Sequence, residues 1–276
     1  MFFENHVEKP KQRSKVRSLL GKEYFIKKRK AVDLFSSVKF AQNDATTQYS
    51  HNLIRHKSIL LRPLKNVEMV LQHNKVINLG IALKHINNVI IKPGETFSIW
   101  KSIGRPTLFK GYKEGLALRN GQIGTAIGGG LCQLGNLIYW MALHSPLLVE
   151  ERWRHGYDVF PDLNRTIPFG CGSTLAYNYI DLRLKNNSLN SFQIALWLDD
   201  EFLNGEINCK DSVNLKYKVY ETDHLIKQQW WGGYTRHNKI WRTILDIQNQ
   251  KETNELITEN NAIMMYRPFL EEGINQ

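Results

Sequence analysis

The chain lacks several features that would place it in a common class of protein. Its 276 residues contain three cysteines, Cys132, Cys171 and Cys209, and this odd number cannot form a complete set of disulfides within one chain. No CxxC spacing occurs, so a structural zinc site is not predicted. The chain has no run of about 18 apolar residues, and Glu4 and Glu8 interrupt its start. We therefore expect reduced thiols and a cytoplasmic protein without a signal peptide or a transmembrane segment.

Motifs for the common cofactors are also missing from the sequence. There is no GxGxxG after a predicted strand, no Gly-Lys-Ser/Thr of a phosphate-binding loop and no HExxH. We therefore predict neither a cofactor nor a metal ion.

Positive charge is concentrated at the start of the chain. Residues 1–40 hold eleven Lys and Arg against four Asp and Glu, so they carry +7 of the net charge of +11. Apolar residues among these charges predict a partly amphipathic helix within residues 9–42. This helix either packs on the domain or contacts an anionic membrane surface through residues 9–30 at the inner face of the membrane. Nucleic acid is a disfavoured partner, because the charge lies in one short arm without interleaved aromatic motifs.

The hydrophobic pattern predicts an α+β fold in two parts. Residues 1–58 are expected to form a basic helical arm and, from residue 43, a linker; residues 59–276 are expected to form the domain. We expect one mixed, mostly antiparallel sheet, with a helix packed on it that follows a glycine-rich loop. The predicted elements are short strands at 59–64 and 67–72, a helix capped by Asn78, a strand at 95–100, a hairpin of 175–185 and 192–198 around Asn186–Ser188, and strands at 205–209, 217–220 and 262–266.

The segment around Cys132 is the most unusual in the chain. Gly128, Gly129 and Gly130 precede it, and a helix is predicted to begin directly afterwards. In the first turn of a helix, free backbone N–H groups and the helix dipole lower the pKa of a thiol and can hold an oxyanion. Cys132 is therefore a candidate nucleophile. Its alternative role is packing, since free cysteine is among the most buried residue types.

A nucleophilic thiol needs a base and an orienting group. His155 is the candidate base, and Asp158 and Asp162 are candidates for the carboxylate that orients it. The candidate substrate-binding residues are Gly128, Gly129, Gly130, Gln133, Arg152, Asp162 and Arg165; in this set the arginines would hold a substrate carboxylate and the backbone at 130–133 would bind an oxyanion.

Several motifs along residues 70–200 resemble those of the VanW family. They are Lys92-Pro93-Gly94-Glu95-Thr96-Phe97-Ser98, Ile127-Gly128-Gly129-Gly130-Leu131-Cys132-Gln133-Leu134, Glu151-Arg152 with His155, Phe160-Pro161-Asp162, Pro168-Phe169-Gly170, and Tyr177-Asn178-Tyr179-Ile180-Asp181-Leu182. The sequence departs from the family pattern at Gly135, Gly156 and Cys171. None of these departures replaces Cys132, His155 or Asp181.

The resemblance implies a link to the cell wall and to glycopeptide resistance, and it leaves two classes of function open. Some membrane-anchored members of the family resemble L,D-transpeptidases that use the family cysteine, which implies cysteine acyl transfer on a peptidoglycan stem peptide or precursor. The alternative is a non-catalytic accessory protein that binds a precursor or a partner at the membrane surface. A cytoplasmic protein would not meet assembled peptidoglycan, so the substrate would be a precursor.

Overall fold

A computed structural model describes residues 14–62, 64, 67–119, 121–161 and 166–268 of the chain. The helices are α1 (Lys15–Phe35), α2 (Met69–Ile86), α3 (Ile99–Ile103) and α4 (Cys132–Ala142), with a 3₁₀ turn at Leu108–Lys110. The strands are β1 (Gln42–Asn43), β2 (His51–Ile59), β3 (Val89–Ile91), β4 (Thr96–Ser98), β5 (Glu114–Arg119), β6 (Gln122–Ile127), β7 (Leu148–Glu151), β8 (Tyr157–Asp158), β9 (Arg183–Lys185), β10 (Phe192–Leu198), β11 (Phe202–Cys209), β12 (Leu215–Gln228), β13 (Tyr234–Asp246) and β14 (Lys251–Met264).

These elements confirm the α+β class, but the strands form four sheets where one was expected. The sheets have the orders β1-β3-β10-β11-β2, β12-β13-β14-β8, β4-β9-β7 and β5-β6. Every pairing of named strands within the described residues is antiparallel, except that β14 and β8 run parallel.

The main core lies between the five-stranded sheet and two helices. The α4 helix packs on β2 and β11, and α2 packs on β10 and β5. Gly205 on β11 allows close packing, because a Cβ there would lie within 3.0 Å of the Leu137 and Leu196 side chains. The helix that follows the glycine-rich loop is therefore packed as predicted. Its N-terminus lies beside the β5-β6 hairpin and the preceding turn.

The predicted linker at residues 43–58 is wrong over its second half. Residues 51–59 form β2, which pairs with β11 at the edge of the five-stranded sheet. The boundary drawn between residues 58 and 59 therefore falls inside a strand. Polar and charged residues are common on edge strands, where one side of the backbone is open to water, and this composition hid the strand from the sequence pattern.

Two other local predictions are also wrong. The segment at 67–72, predicted as a strand, leads into α2, and Asn78 lies in the interior of that helix and not at its cap. The expected hairpin around Asn186 does not form, because β9 pairs with β4 and β7 whereas β10 pairs with β3 and β11. The Asn186 amide instead donates to the Ile91 and Asn190 carbonyls, which fixes the crossing of the chain between two sheets.

Candidate functional site

The three glycines before α4 allow two backbone segments to approach closely. Gly128 and Gly130 have φ angles of +77° and +92°, which side chains disfavour. A Cβ on Gly129 would overlap the carbonyl of Gly115 in β5. The buried Asn78 side chain secures this contact: its amide donates to the Gly129 carbonyl at 2.9 Å and to the Lys113 carbonyl at 3.0 Å. The glycine run therefore has a packing role in this structure.

Cys132 is the first residue of α4, as predicted, but its thiol is not in the expected electrostatic environment. The Leu175 backbone N–H donates to Sγ at 3.4 Å, and Sγ lies 4.0 Å from the Leu175 carbonyl oxygen. Burial raises the pKa of the Cys132 thiol, and the Leu175 N–H lowers it in part. We expected the start of the helix to lower this pKa. Desolvation of the thiolate has the larger effect here.

The structure does not join His155 or Asp158 to the thiol. No hydrogen bond within the described residues links the His155 ring to Cys132, and burial lowers the pKa of His155. Asp158 is buried in the other part of the fold, where it accepts a hydrogen bond from Tyr266 at 2.8 Å and lies 3.4 Å from Arg236. The proposed set of nucleophile, base and orienting acid is therefore not assembled in this conformation.

Two of the candidate substrate-binding residues make contacts within the protein. Arg152 donates from Nε to the Gly172 carbonyl at 2.8 Å and also bonds the Gly170 carbonyl, so its guanidinium holds a turn. The Gln133 amide donates to the Ser58 hydroxyl at 2.9 Å and ties α4 to the end of β2. Both donors are used in packing. The remaining two candidates, Asp162 and Arg165, lie outside the described residues.

A largely buried cluster of charged residues lies between α1 and the β4-β9-β7 sheet. The sequence reasoning missed this cluster. Arg183 forms two 2.9 Å hydrogen bonds with Asp33 of α1 and one of 3.2 Å with Asp181. Arg29 of α1 pairs with Glu151 at 2.7 Å. These ion pairs attach α1 to the domain, which is the packing alternative for this helix.

Asp181 is the most buried acid of this cluster. It is fully buried, and it accepts hydrogen bonds from the Ser98 hydroxyl at 2.5 Å and from the Leu182 N–H at 2.9 Å. Burial raises the pKa of Asp181 to about 6, although the Ser98 hydrogen bond and Arg183 oppose that shift. Its place in the Tyr-Asn-Tyr-Ile-Asp-Leu motif was the one available signal. The sequence around Asp33 gives no such signal, because Asp33 is an isolated acid within a basic arm.

Comparison with known proteins agrees with the motifs. Residues 74–208 match the family model described as VanW like protein. This segment, which is just under half of the chain, is therefore VanW-like. Vancomycin B-type resistance protein VanW of Enterococcus faecalis (strain ATCC 700802 / V583) is 38% identical over 152 residues, which are 55% of this chain and 55% of that relative. YoaR of Bacillus subtilis (strain 168) is 28% identical over 112 residues, which are 40% of this chain and 34% of that relative.

The VanW-like segment begins within α2 and ends near the end of β11. It contains both the Cys132 turn and Asp181, whereas α1 and the three long strands β12 to β14 lie outside it. The matches reach only about half of the first relative and a third of the second, so they do not carry over the activity of a whole protein. No solved structure matches the chain. Within the residues that the structure describes, no helix is both long and apolar enough to cross a membrane.

Proposed function

We propose that this VanW-like chain acts in a cell-wall process related to vancomycin resistance, as a non-catalytic protein that binds a peptidoglycan precursor or a partner. The name of the 38% identical relative supports the process. One observation carries the non-catalytic role: among the described residues only the Leu175 backbone forms hydrogen bonds with the Cys132 thiol, and burial raises the pKa of that thiol. A nucleophilic thiol needs the opposite shift and a base within hydrogen-bond reach.

The test is the reactivity of the Cys132 thiol. The alkylation rate is followed against pH in a full-length variant in which Cys171 and Cys209 are replaced by Ala. We expect a midpoint above the ordinary value of about 8.5, with no change on His155→Ala. A midpoint well below that value, which His155→Ala then raises, would refute the non-catalytic role.

Cysteine acyl transfer is the second candidate function, and one observation favours it. Cys132 begins a helix and receives the Leu175 N–H, an arrangement that suits a thiolate. In this reaction His155 takes the proton of the Cys132 thiol, Sγ attacks an amide carbonyl of a stem peptide, the C–N bond breaks, and His155 gives that proton to the departing amine. An acceptor amine then takes the acyl group from sulfur. Burial lowers the pKa of His155, which favours the neutral imidazole that can accept the thiol proton.

This candidate requires His155 to move toward Cys132. Mass spectrometry of the intact chain after incubation with a stem pentapeptide tests it through an acyl adduct on Cys132. The adduct should be absent in Cys132→Ala and reduced by His155→Ala. An unmodified wild-type chain under conditions in which iodoacetamide labels Cys132 would exclude acyl transfer from that peptide.

A membrane contact through residues 9–30 is part of the proposed role. Within α1, the side chains of Val16, Leu20 and Tyr24 are each at least 60% exposed, and they lie among Lys and Arg. Exposed apolar residues beside basic ones suit the surface of anionic lipid. Flotation with vesicles of anionic lipid should recover the chain at low salt and lose it at high salt. A chain that fails to float at low salt has no such contact.

A further inference from the structure

A small cavity lies beside Asp181, between α1, α3 and the segment at 177–183. Its volume is about 240 Å³, which is below the about 300–1,000 Å³ typical of sites for drug-sized ligands. The Trp100 and Tyr177 rings line it and meet edge to face, with centroids 5.6 Å apart. The cavity therefore has one aromatic wall and suits a small ligand or one end of a larger one.

The Oδ1 atom of Asn178, a residue that lines this cavity, is buried and has no hydrogen-bond partner among the described residues. Asn178 is 7% exposed. A buried amide oxygen left without a partner costs about 1–3 kcal/mol. A ligand that reaches Oδ1 through a rotation of the Asn178 amide, and donates a hydrogen bond to it, removes that cost. Because an amide both donates and accepts, its natural complement is another amide, such as a peptide group.

The charges around the cavity leave one cation unpaired. Asp33 is held by Arg183 at 2.9 Å and by Lys101 at 3.4 Å, and the Asp181 oxygens accept hydrogen bonds from Ser98 and two backbone N–H groups. Lys30 is exposed and lines the cavity, and it forms no ion pair with any described residue. The carboxylates are therefore committed to protein donors, whereas the Lys30 ammonium is available to an anionic group of a ligand.

We propose that this cavity binds the carboxylate-terminated end of a small peptide, with the terminal carboxylate at Lys30 and the adjacent peptide group at Asn178. The aromatic wall of Trp100 and Tyr177 would contact small apolar side chains of the peptide. This inference rests on the proposed binding role and gives it a ligand class. The site itself is independent of Cys132.

The experiment uses N-acetyl-alanyl-alanine, in its L,L and D,D forms, and the corresponding C-terminal amides. Binding to the full chain is followed by NMR through the indole N–H resonance of Trp100, which Trp100→Phe identifies. We expect at least one stereoisomer of the acid to bind about threefold to fivefold more tightly than its amide. Lys30→Met should remove that preference, and Lys28→Met, an exposed change on the same helix outside the cavity, should keep it.

Asn178→Leu should weaken binding of both acid and amide about tenfold. Asn178→Asp, which keeps the volume of the side chain, should weaken the acid more than the amide, because it adds a negative charge beside the carboxylate. The thermal midpoint of each variant shows whether it folds. Equal binding of acid and amide, equal effects of Lys28→Met and Lys30→Met, or no response up to about 20 mM ligand would each overturn the inference.

These outcomes are separable from those of the proposed function. A reactive Cys132 together with binding that depends on Asn178 would refute the non-catalytic role and leave the cavity as a ligand site. An unreactive Cys132, together with no peptide binding at the cavity, would rule out the cavity as a ligand site and leave the non-catalytic role intact.

Discussion

Two segments of the VanW-like region use their polar groups in opposite ways. Around Gly128–Cys132, the backbone and the neighbouring Asn78 are bonded to one another, and the thiol has backbone partners. Around 177–181, the Oδ1 atom of Asn178 is buried beside a cavity and has no hydrogen-bond partner in the described part of the chain. A protein tolerates an unsatisfied buried group where something else compensates for it. The conspicuous glycine motif therefore serves packing, whereas the 177–181 motif keeps a buried acceptor atom that its described neighbours do not use.

The two segments also differ in charge. Burial and backbone hydrogen bonds, and not charged side chains, shift the pKa of the Cys132 thiol. Asp181 lies among Arg183, Glu151 and the Asp33 of α1. Because α1 lies outside the matched family segment, its ion pairs connect a part of the chain beyond that segment with a family motif. Ligand recognition at the second segment can therefore depend on residues that the family match does not cover.

The largest expected effect tests the packing role of the glycine turn. Gly129→Ala places a Cβ against the Gly115 carbonyl, where only backbone movement can relieve the overlap. We expect a loss of at least about 4 kcal/mol in the free energy of unfolding, measured with urea. Gly124→Ala on β6 is the matched control, since its Cβ would be 3.9 Å from the nearest heavy atom, the Ala117 carbonyl oxygen. Equal stability of the two variants would contradict the packing role.

The next effect concerns the side chain that secures that turn. Asn78→Leu removes the hydrogen bonds to the buried Gly129 carbonyl and to the part-buried Lys113 N–H and carbonyl groups, of which the carbonyl still accepts from the Gly128 N–H. We expect a loss of about 3 kcal/mol in urea unfolding. Asn74→Leu, one turn earlier on α2, loses one bond to the exposed Glu114 carbonyl and should cost less than about 1 kcal/mol. Similar losses in both variants would mean that Asn78 does not secure the turn.

Sequence reasoning reached the elements whose signals are local. The helix after Gly130 was predicted because glycine followed by periodic apolar residues is a local pattern, and β10 was predicted from its apolar residues. The edge strand β2 was missed because its partner β11 is about 150 residues away and its own residues are polar. Asn78 was misread as a cap for the same reason, since its partners lie 35 and 51 positions along the chain.

The candidate site was predicted less well than the fold. The position of Cys132 at the helix start followed from the sequence, whereas its pKa depends on how deeply the thiol is buried, which spacing does not encode. Asp158 follows His155 closely in the sequence, yet it lies on β8 beside β14, and its side chain contacts Arg236 of β13 and Tyr266. The Asp33–Arg183 pair joins residues 150 positions apart, and no local sequence pattern around either residue indicates the other as its partner.

A pH effect sharpens the contrast at Asp181. Its pKa is raised to about 6 from an ordinary 3.8, so the folded state binds the proton more tightly than the unfolded state. Stability from this group is full below about pH 4 and is lost as the pH rises through about 6. We expect the wild type to lose up to about 3 kcal/mol relative to Asp181→Asn over this range, measured by urea unfolding at each pH.

The control for this prediction is Asp199→Asn. Hydrogen bonds from the Glu201 and Phe202 N–H groups lower the pKa of Asp199, so its contribution is lost as the pH falls, which is the opposite sign. A difference between wild type and Asp181→Asn that stays constant from pH 4 to 7 would show that Asp181 does not have a raised pKa.

The smallest effect separates the two roles of Gln133. If this residue ties α4 to β2, Gln133→Ala loses hydrogen bonds to the Ser58 hydroxyl and the Ile59 carbonyl and costs about 1 kcal/mol in urea unfolding. The control is Gln122→Ala, an exposed change on β6 that should stay within about 0.5 kcal/mol of the wild type. A Gln133→Ala chain as stable as the wild type would show that these hydrogen bonds do not stabilise the fold. The Gln133 amide would then be available to a ligand, and in that respect the glycine turn would resemble the Asn178 cavity.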